Sequence, residues 1–357
     1  MKARIVIGAN YGDEGKGTVV ANYTKLAKGK VLNVLTNGGA QRGHSILTKD
    51  GSITFQHFGS GTYHGADNYY SRYFILNPMQ FVKEYETLLV KPTIYRSQWC
   101  RWSTPYDSMA NLILEQQLGR HASCCMGIWN TVRRYRELGA DGTMSFDDFV
   151  KDEAKALMHL ADVKRYYEKL IFVPQEWKSI WDNPNIMTHF LNDCRFMSEH
   201  TIVCDNLYQL DYDELIFENG QGLLLCDRGL DESDRTPSQT GIQYARDMAI
   251  GIIFDDITVH YVTRPYLTRH GDGNLSGESS RKFISSTVQE DRTNHYNEGQ
   301  GEFRFGSLDI DSLKERVEGD AGKFKYEIEL THCDEMDRVA EFKKKFGVVN
   351  TYDTPLV

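Results

Sequence analysis

The sequence predicts an α/β protein, with a mainly parallel central sheet, surrounding helices and a P-loop-like anion-binding loop after the first strand. Three observations carry this. Short apolar runs bounded by turn residues recur along the chain, segments with helical spacing lie between them, and the first apolar run leads into glycines, acids and a lysine. Strands alternating with helices favour parallel pairing, because a parallel connection must cross over the sheet.

The strand candidates are residues 3–7, 31–35, 201–204, 214–217, 257–262 and 326–330. Each is a short apolar or β-branched run, as buried strands are. Helical spacing appears in 19–25, in 109–118 with Leu112, Ile113 and Gln116 on one face, in 154–170 and in 335–346. Only 8 prolines occur, and no repeat, linker or low-complexity tract divides the chain, so one domain over 1–357 is expected. Ligands of open α/β sheets bind at the carboxyl ends of the strands, and the loops there are where chemistry is expected.

Composition narrows the function. With 50 acidic and 41 basic residues the net charge is −9, which disfavours nucleic acid or an anionic membrane as a partner. No apolar stretch approaches the length of a membrane span. The start of the chain reads as a strand entering a loop and not as a leader peptide. The 7 cysteines are scattered, with no CxxC or CxxH spacing. Reduced thiols and a cytoplasmic location are expected, and a structural zinc site is not.

The first strand candidate runs into Gly8-Ala9-Asn10-Tyr11-Gly12-Asp13-Glu14-Gly15-Lys16-Gly17-Thr18. Glycines let backbone N–H groups approach an anion, a helix start adds its dipole and Lys16 adds a point charge. The loop departs from the P-loop pattern, since Gly17 separates Lys16 from Thr18. Asp13 and Glu14 repel phosphate unless one holds a metal ion or acts as a base. A second loop, Thr36-Asn37-Gly38-Gly39-Ala40-Gln41-Arg42-Gly43-His44-Ser45, follows residues 31–35. His44 among glycines is a candidate acid or donor toward phosphate.

The two loops together resemble the paired signature of the adenylosuccinate synthetase family. Further segments extend the resemblance: Arg120-His121-Ala122-Ser123 through Ile128, Phe217-Glu218-Asn219-Gly220-Gln221-Gly222, Thr236-Pro237-Ser238-Gln239-Thr240, Leu267-Thr268-Arg269-His270-Gly271, Gln300-Gly301 through Asp309, and Thr331-His332-Cys333-Asp334. The chain is similar to the family's short branch, which includes viral enzymes that act on dGMP.

The resemblance implies a carbon–nitrogen ligase. A base takes the N1 proton of a 6-oxopurine nucleotide, the 6-oxygen attacks a nucleoside triphosphate, and the amine of L-aspartate displaces phosphate. Asp13 would be the base and, with the carbonyl of Gly43, a Mg2+ ligand. His44 would be the acid between the transferred phosphates. Gly12, Gly15, Lys16, Gly17 and Thr18 would cradle the triphosphate. Gln221 would meet the purine edge, as a third catalytic group. Ser123 and Thr236 would hold the monophosphate, although either hydroxyl also suits a cap. An arginine of the set 133, 134 and 136, taken as Arg134, would cross to a neighbouring subunit's nucleotide in a homodimer. Arg269 and Arg304 would take the carboxylates of L-aspartate, with Arg42 or Arg264 as substitutes, since Glu302 and Phe303 stand where the family has arginines. Asp334 would read the base of a GTP donor, or else cap the helix expected over 335–346.

Two substrate sets follow. One is dGMP with ATP, giving N6-succino-2-amino-2'-deoxyadenylate for 2-aminoadenine DNA in the host cytoplasm of a phage. His332 in place of the family's guanine-reading lysine favours it. The other is IMP with GTP, as in an ordinary adenylosuccinate synthetase, and the retained Asp13 favours it because the viral members often carry serine there. A GTPase-like nucleotide-binding protein is a third reading, opposed by Gly17 where a P-loop needs a hydroxyl.

Overall fold

The computed structural model describes residues 1–48, 51–119, 123–139, 143–227, 235–291 and 301–353. Arg120, His121, Ala122 and Gln300 of the two resembling loops lie outside them. Among the described residues, nine strands form one sheet in which every pairing is parallel. Its order is Val349–Thr351, Tyr326–Leu330, Asp256–Thr263, Lys2–Gly8, Glu214–Gly222, Val31–Leu35, Asp67–Tyr70, Ile94–Arg96 and Ile202–Val203.

The first strand is fourth in that order and pairs on both sides, Ile5 with Phe217 and with Val259. Its Ile5, Val6 and Ile7 are fully buried. A strand covered on both faces needs a continuous apolar run, which is why this one is plain in the sequence. All six predicted strands are present. Asp67–Tyr70, Ile94–Arg96 and Val349–Thr351 escape prediction because they are short and carry polar residues.

Helix starts follow local capping. Lys16–Leu26 begins directly after Gly15, which adopts a left-handed φ of 91°. Pro105–Leu118 starts four residues before the predicted helix, since Thr104 and Asp107 form a reciprocal capping box ahead of Pro105. On that helix Ala110, Asn111 and Ile113 face inward, and Gln116 is exposed. Glu153–Glu168 matches the third predicted helix, with Asp152 as its cap.

The last predicted helix needs correction. It spans Val339–Phe346, and Asp334 is an exposed residue at a turn rather than its N-cap. The buried Glu335 carboxylate accepts the Tyr266 hydroxyl, and its carbonyl accepts Thr287 Oγ1. Residues 334–338 are thereby tied to the neighbouring loops and do not join the helix.

Two small antiparallel units stand above the carboxyl edge of the sheet. The hairpin His44–Thr48 with Gly51–Phe55 places His44 at its first residue. A three-stranded sheet of Leu267–His270, Phe303–Gly306 and Glu278–Ser279 sets Arg269 opposite Arg304, and His270 opposite Phe303. No helix among the described residues is long and apolar enough to cross a membrane.

Helix Ile128–Leu138 turns Arg134 inward and leaves Arg133 and Arg136 on its outer face. Arg134 is fully buried, and its Nε and Nη2 donate to the two carboxylate oxygens of Asp107 at 2.9 Å each. Asp107 also accepts the Tyr167 hydroxyl at 2.6 Å. The expectation that Arg134 reaches a nucleotide is therefore overturned: its charge is spent within the fold. Removing one member of a buried pair strands the other charge, at roughly 3–5 kcal/mol. Arg134→Ala should lower unfolding stability by about that amount. A loss of under about 1 kcal/mol by chemical denaturation would show the pair to be dispensable.

Candidate active site

The loop after the first strand folds around its own acid. Glu14 is buried, and its carboxylate accepts the N–H groups of Asn10 at 3.1 Å and Gly12 at 2.8 Å. Burial pushes the Glu14 pKa up, and Lys16, 3.9 Å away, opposes this. Lys16 donates to the carbonyl of Gly12 at 2.7 Å and is 1% exposed. Burial likewise lowers its pKa. Glu14 thus occupies the anion-binding groups of the loop from within, which explains an acid where phosphate is expected. Gly8 is required by this packing, because a Cβ there would lie 2.6 Å from the Glu14 carboxylate and 2.8 Å from the Gln221 carbonyl.

Asp13 points the other way. It is partly exposed on the wall of a cavity of about 300 Å³ at the carboxyl edge of the sheet. Such a volume suits a bound small molecule. Its backbone carbonyl accepts Arg264 Nε at 2.8 Å, and the Thr331 hydroxyl fixes the next carbonyl at 2.8 Å. Burial raises the Asp13 pKa, with His270, Lys16 and Arg264 opposing in that order.

His44 faces the same cavity. Its Nδ1 is hydrogen-bonded to Glu218, which is completely buried in the middle of the strand Glu214–Gly222. Arg42 lies 3.1 Å from Glu218 and 3.0 Å from His44 Nδ1. The N–H and hydroxyl of Ser60 donate to Glu218 at 3.0 and 2.7 Å. Burial alone would raise the Glu218 pKa, but Arg42 and then His44 hold it at about 2. Burial and then Arg42 depress the His44 pKa to about 3, against Glu218. His44 is accordingly a neutral imidazole backed by a carboxylate. Its remaining nitrogen, Nε2, is left for the cavity.

Gln221 adopts a left-handed φ of 64°, uncommon for a residue with a side chain. Backbone strain of this kind collects at functional sites. Here it carries the Gln221 side chain to the cavity wall beside Gly12. Of the other predicted residues, Gly43, Ser123, Thr236 and Arg269 also line this cavity. Ser123 is held by Asn111 at 3.0 Å.

Gly15, Lys16, Gly17, Thr18, Arg134, Arg304 and Asp334 are not on its wall. Arg304 instead pairs with Glu278 and donates to the carbonyls of Gly271 and Gly273 at 2.8 and 3.0 Å, bracing that loop. Of the two substitute arginines, Arg42 lines the cavity while pairing with Glu218, and Arg264 is off its wall and pairs with Asp291 at 2.6 Å.

Several cavity residues were not singled out from the sequence. Gln41 lines the wall with both amide atoms buried and without a hydrogen-bond partner among the described residues. Asn111, Arg235 and His270 line it too, and Glu218 stands behind His44. Gln41 sits in a loop already marked by its glycines, so its position was the available signal. The others come from elements brought together only by folding.

A metal-ligand geometry occurs elsewhere, at His260, Glu327 and Glu329. Its ligand atoms already serve hydrogen bonds: His260 Nδ1 with Glu329 at 2.7 Å, and Glu329 with Tyr23 and Tyr352 at 2.8 Å each. It acts as a polar staple across the sheet.

The family model described as adenylosuccinate synthetase matches residues 5–352. The chain belongs to the adenylosuccinate synthetase family. A Buchnera aphidicola adenylosuccinate synthetase is 24% identical over 284 residues, which is 75% of this chain and 63% of that protein. The match thus spans less than two thirds of that relative's length. A Hamiltonella defensa adenylosuccinate synthetase is 24% identical over 88% of this chain and 72% of its own. Two solved structures share the fold. The fully ligated Plasmodium falciparum adenylosuccinate synthetase superposes with a TM-score of 0.69 at 18% identity, covering 94% of this chain and 78% of that one. The cyanophage S-2L succinoaminodeoxyadenylate synthetase PurZ, bound to dGMP and dATP, superposes with a TM-score of 0.67 at 14% identity, covering 99% and 91%.

Gly17 accounts for the difference between this family member's loop and a P-loop. A Cβ at that position would lie 2.6 Å from the Ser45 carbonyl. The helix therefore packs directly on the hairpin that carries His44. Gly17→Ser, which restores a P-loop hydroxyl, should destabilise the fold by roughly 1–3 kcal/mol through overpacking. Unchanged thermal stability of that variant would contradict the close approach.

Proposed function

We propose that this protein is a ligase that joins L-aspartate to the 6-position of a purine nucleotide, with dGMP as the purine and ATP as the phosphoryl donor. The observation that carries this reading is the convergence of Asp13, His44 and Gln221 on one cavity. A carboxylate whose pKa is raised by burial suits a base toward N1. An imidazole whose Nδ1–H is held by Glu218 presents Nε2 to the cavity, and once Nε2 takes up a proton beside the anionic substrate it can donate to the transferring phosphoryl group, where charge develops in the transition state. The Gln221 amide donates to the 6-oxygen. Ser123, Thr236 and Gln41 supply neutral donors for the monophosphate, and Arg269, one of the arginines on the cavity wall, suits a carboxylate of L-aspartate.

Mg2+ fits the oxygen donors on this wall: the Asp13 carboxylate and the Gly43 carbonyl are hard ligands of the kind it takes. When bound, it would neutralise charge on the triphosphate. The reading includes a homodimer in the cytoplasm, that of an infected cell if the enzyme is viral. With Arg134 buried, Arg133 or Arg136 would be the crossing arginine, both more than half exposed and paired within the chain.

The near-complete overlap with the dGMP-bound cyanophage enzyme supports dGMP. The retained Asp13 supports the second reading, IMP with GTP. Competition of dGMP against IMP in one reaction with ATP and L-aspartate separates the two by mass spectrometry. We expect dGMP to be used at least about ten-fold more efficiently. Adenylosuccinate as the dominant product would establish the second reading. No aspartate-dependent product from either nucleotide would end both.

Asp13→Ala should lower turnover by about 10²–10⁴ fold while the fold persists, because the residue lies on a cavity wall. Full activity in the folded variant would remove Asp13 from the role of base. His44→Asn keeps a donor but not an imidazole. It should lower kcat much more than it weakens nucleotide binding. Loss of binding at unchanged kcat would make His44 a ground-state contact.

A further inference from the structure

His270 is the last residue of its short strand, opposite Phe303, and the two rings lie 4.7 Å apart. The contact fixes the imidazole at the cavity that Asp13 lines. Its Nδ1 is buried and has no hydrogen-bond partner among the described residues. An unpartnered buried ring nitrogen is costly, and here it borders a ligand cavity. Asp13 and His270 line the same cavity.

Topology adds an order. The loop bearing Asp13 leaves the strand Lys2–Gly8. Gln221 belongs to the strand paired on one side of it, Glu214–Gly222. His270 follows the strand paired on the other side, Asp256–Thr263. Across this edge the order is therefore Gln221, Asp13, His270. The hydrogen-bonding edge of guanine has the order 6-oxygen, N1, 2-amino group. The 2-amino group is donor-only and needs an acceptor. Arg269, the preceding residue, offers donors alone. A neutral imidazole protonated at Nε2 offers Nδ1 as an acceptor.

We propose that His270 is a specificity-determining residue that accepts a hydrogen bond from the 2-amino group of the purine, through the Nδ1 that Phe303 packing holds at the cavity. The proposal rests on the ligase reading, with Asp13 at N1 and Gln221 at the 6-oxygen. In that setting His270 distinguishes a 2-aminopurine from hypoxanthine, and it belongs to a pair, His270 with Phe303, absent from the arginine-rich pattern the family resemblance led one to expect.

The test compares dGMP with 2'-deoxyinosine 5'-monophosphate, which differ only in the 2-amino group, each with ATP, Mg2+ and L-aspartate. The full-length wild type should show a kcat/KM ratio of about ten or more in favour of dGMP. His270→Phe retains ring packing on Phe303 and loses the acceptor. Its ratio should fall to within about three of unity, mainly through loss of dGMP activity. His270→Gln keeps a carbonyl acceptor and should retain most of the preference. A wild type without preference overturns the proposal, as does a His270→Phe variant with an unchanged ratio. Equal losses on both nucleotides in His270→Phe would show a merely structural role and overturn it as well. In each of these cases aspartate-dependent product still forms and the ligase reading stands. No such product from the wild type with either nucleotide is the distinct outcome in which the ligase reading fails and takes the proposal with it.

Discussion

A fully buried carboxylate, Glu218, organises the site, and the surrounding architecture is arranged to keep it ionised. It lies midway along a central strand with no solvent to stabilise its charge. An isolated carboxylate in such a place would take up a proton. Arg42, His44 and Ser60 prevent this by surrounding it with donors. They come from the second glycine-rich loop, the start of the hairpin and a short 3-10 turn. One buried charge thus ties three separate segments to the sheet. Loss of any one partner would leave a charge uncompensated, so the arrangement favours a single geometry.

That geometry directs His44. Because Glu218 claims one ring nitrogen, only the other serves the cavity. The first loop solves the same problem differently. Glu14 is satisfied by the backbone N–H groups of its own loop and by Lys16, which frees Asp13 to face the cavity. Adjacent acids in one loop consequently have opposite duties, one structural and one facing solvent and ligand. The left-handed Gln221 completes the wall.

The sequence made the sheet legible where burial on both faces demands unbroken apolar runs, as at residues 3–7 and 31–35. It was poor at the edges, where Ile94–Arg96 and Val349–Thr351 are too short to show a period. Glycines and their neighbours revealed both site loops, because close backbone approach leaves few alternatives to glycine. Charged residues were harder. Arg134 and Asp334 have types and positions that suit ligands, yet Arg134 is consumed by Asp107 and Asp334 sits exposed at a turn. Such outcomes depend on side-chain direction and distant partners, which spacing along the chain does not encode. Glu218 was quoted within a motif but not assigned a role for the same reason, since His44 lies 174 residues away.

The central claim is that Glu218 holds His44 as a neutral imidazole with its proton on Nδ1 and with Nε2 open to the cavity. Nitrogen NMR of the histidine rings in the ligand-free protein tests this most directly, with His44→Asn assigning the signal. The Nδ1–H tautomer is expected for His44, with loss of its dominance in Glu218→Gln. An Nε2–H tautomer in the wild type, with Nδ1 accepting from Arg42, would contradict it.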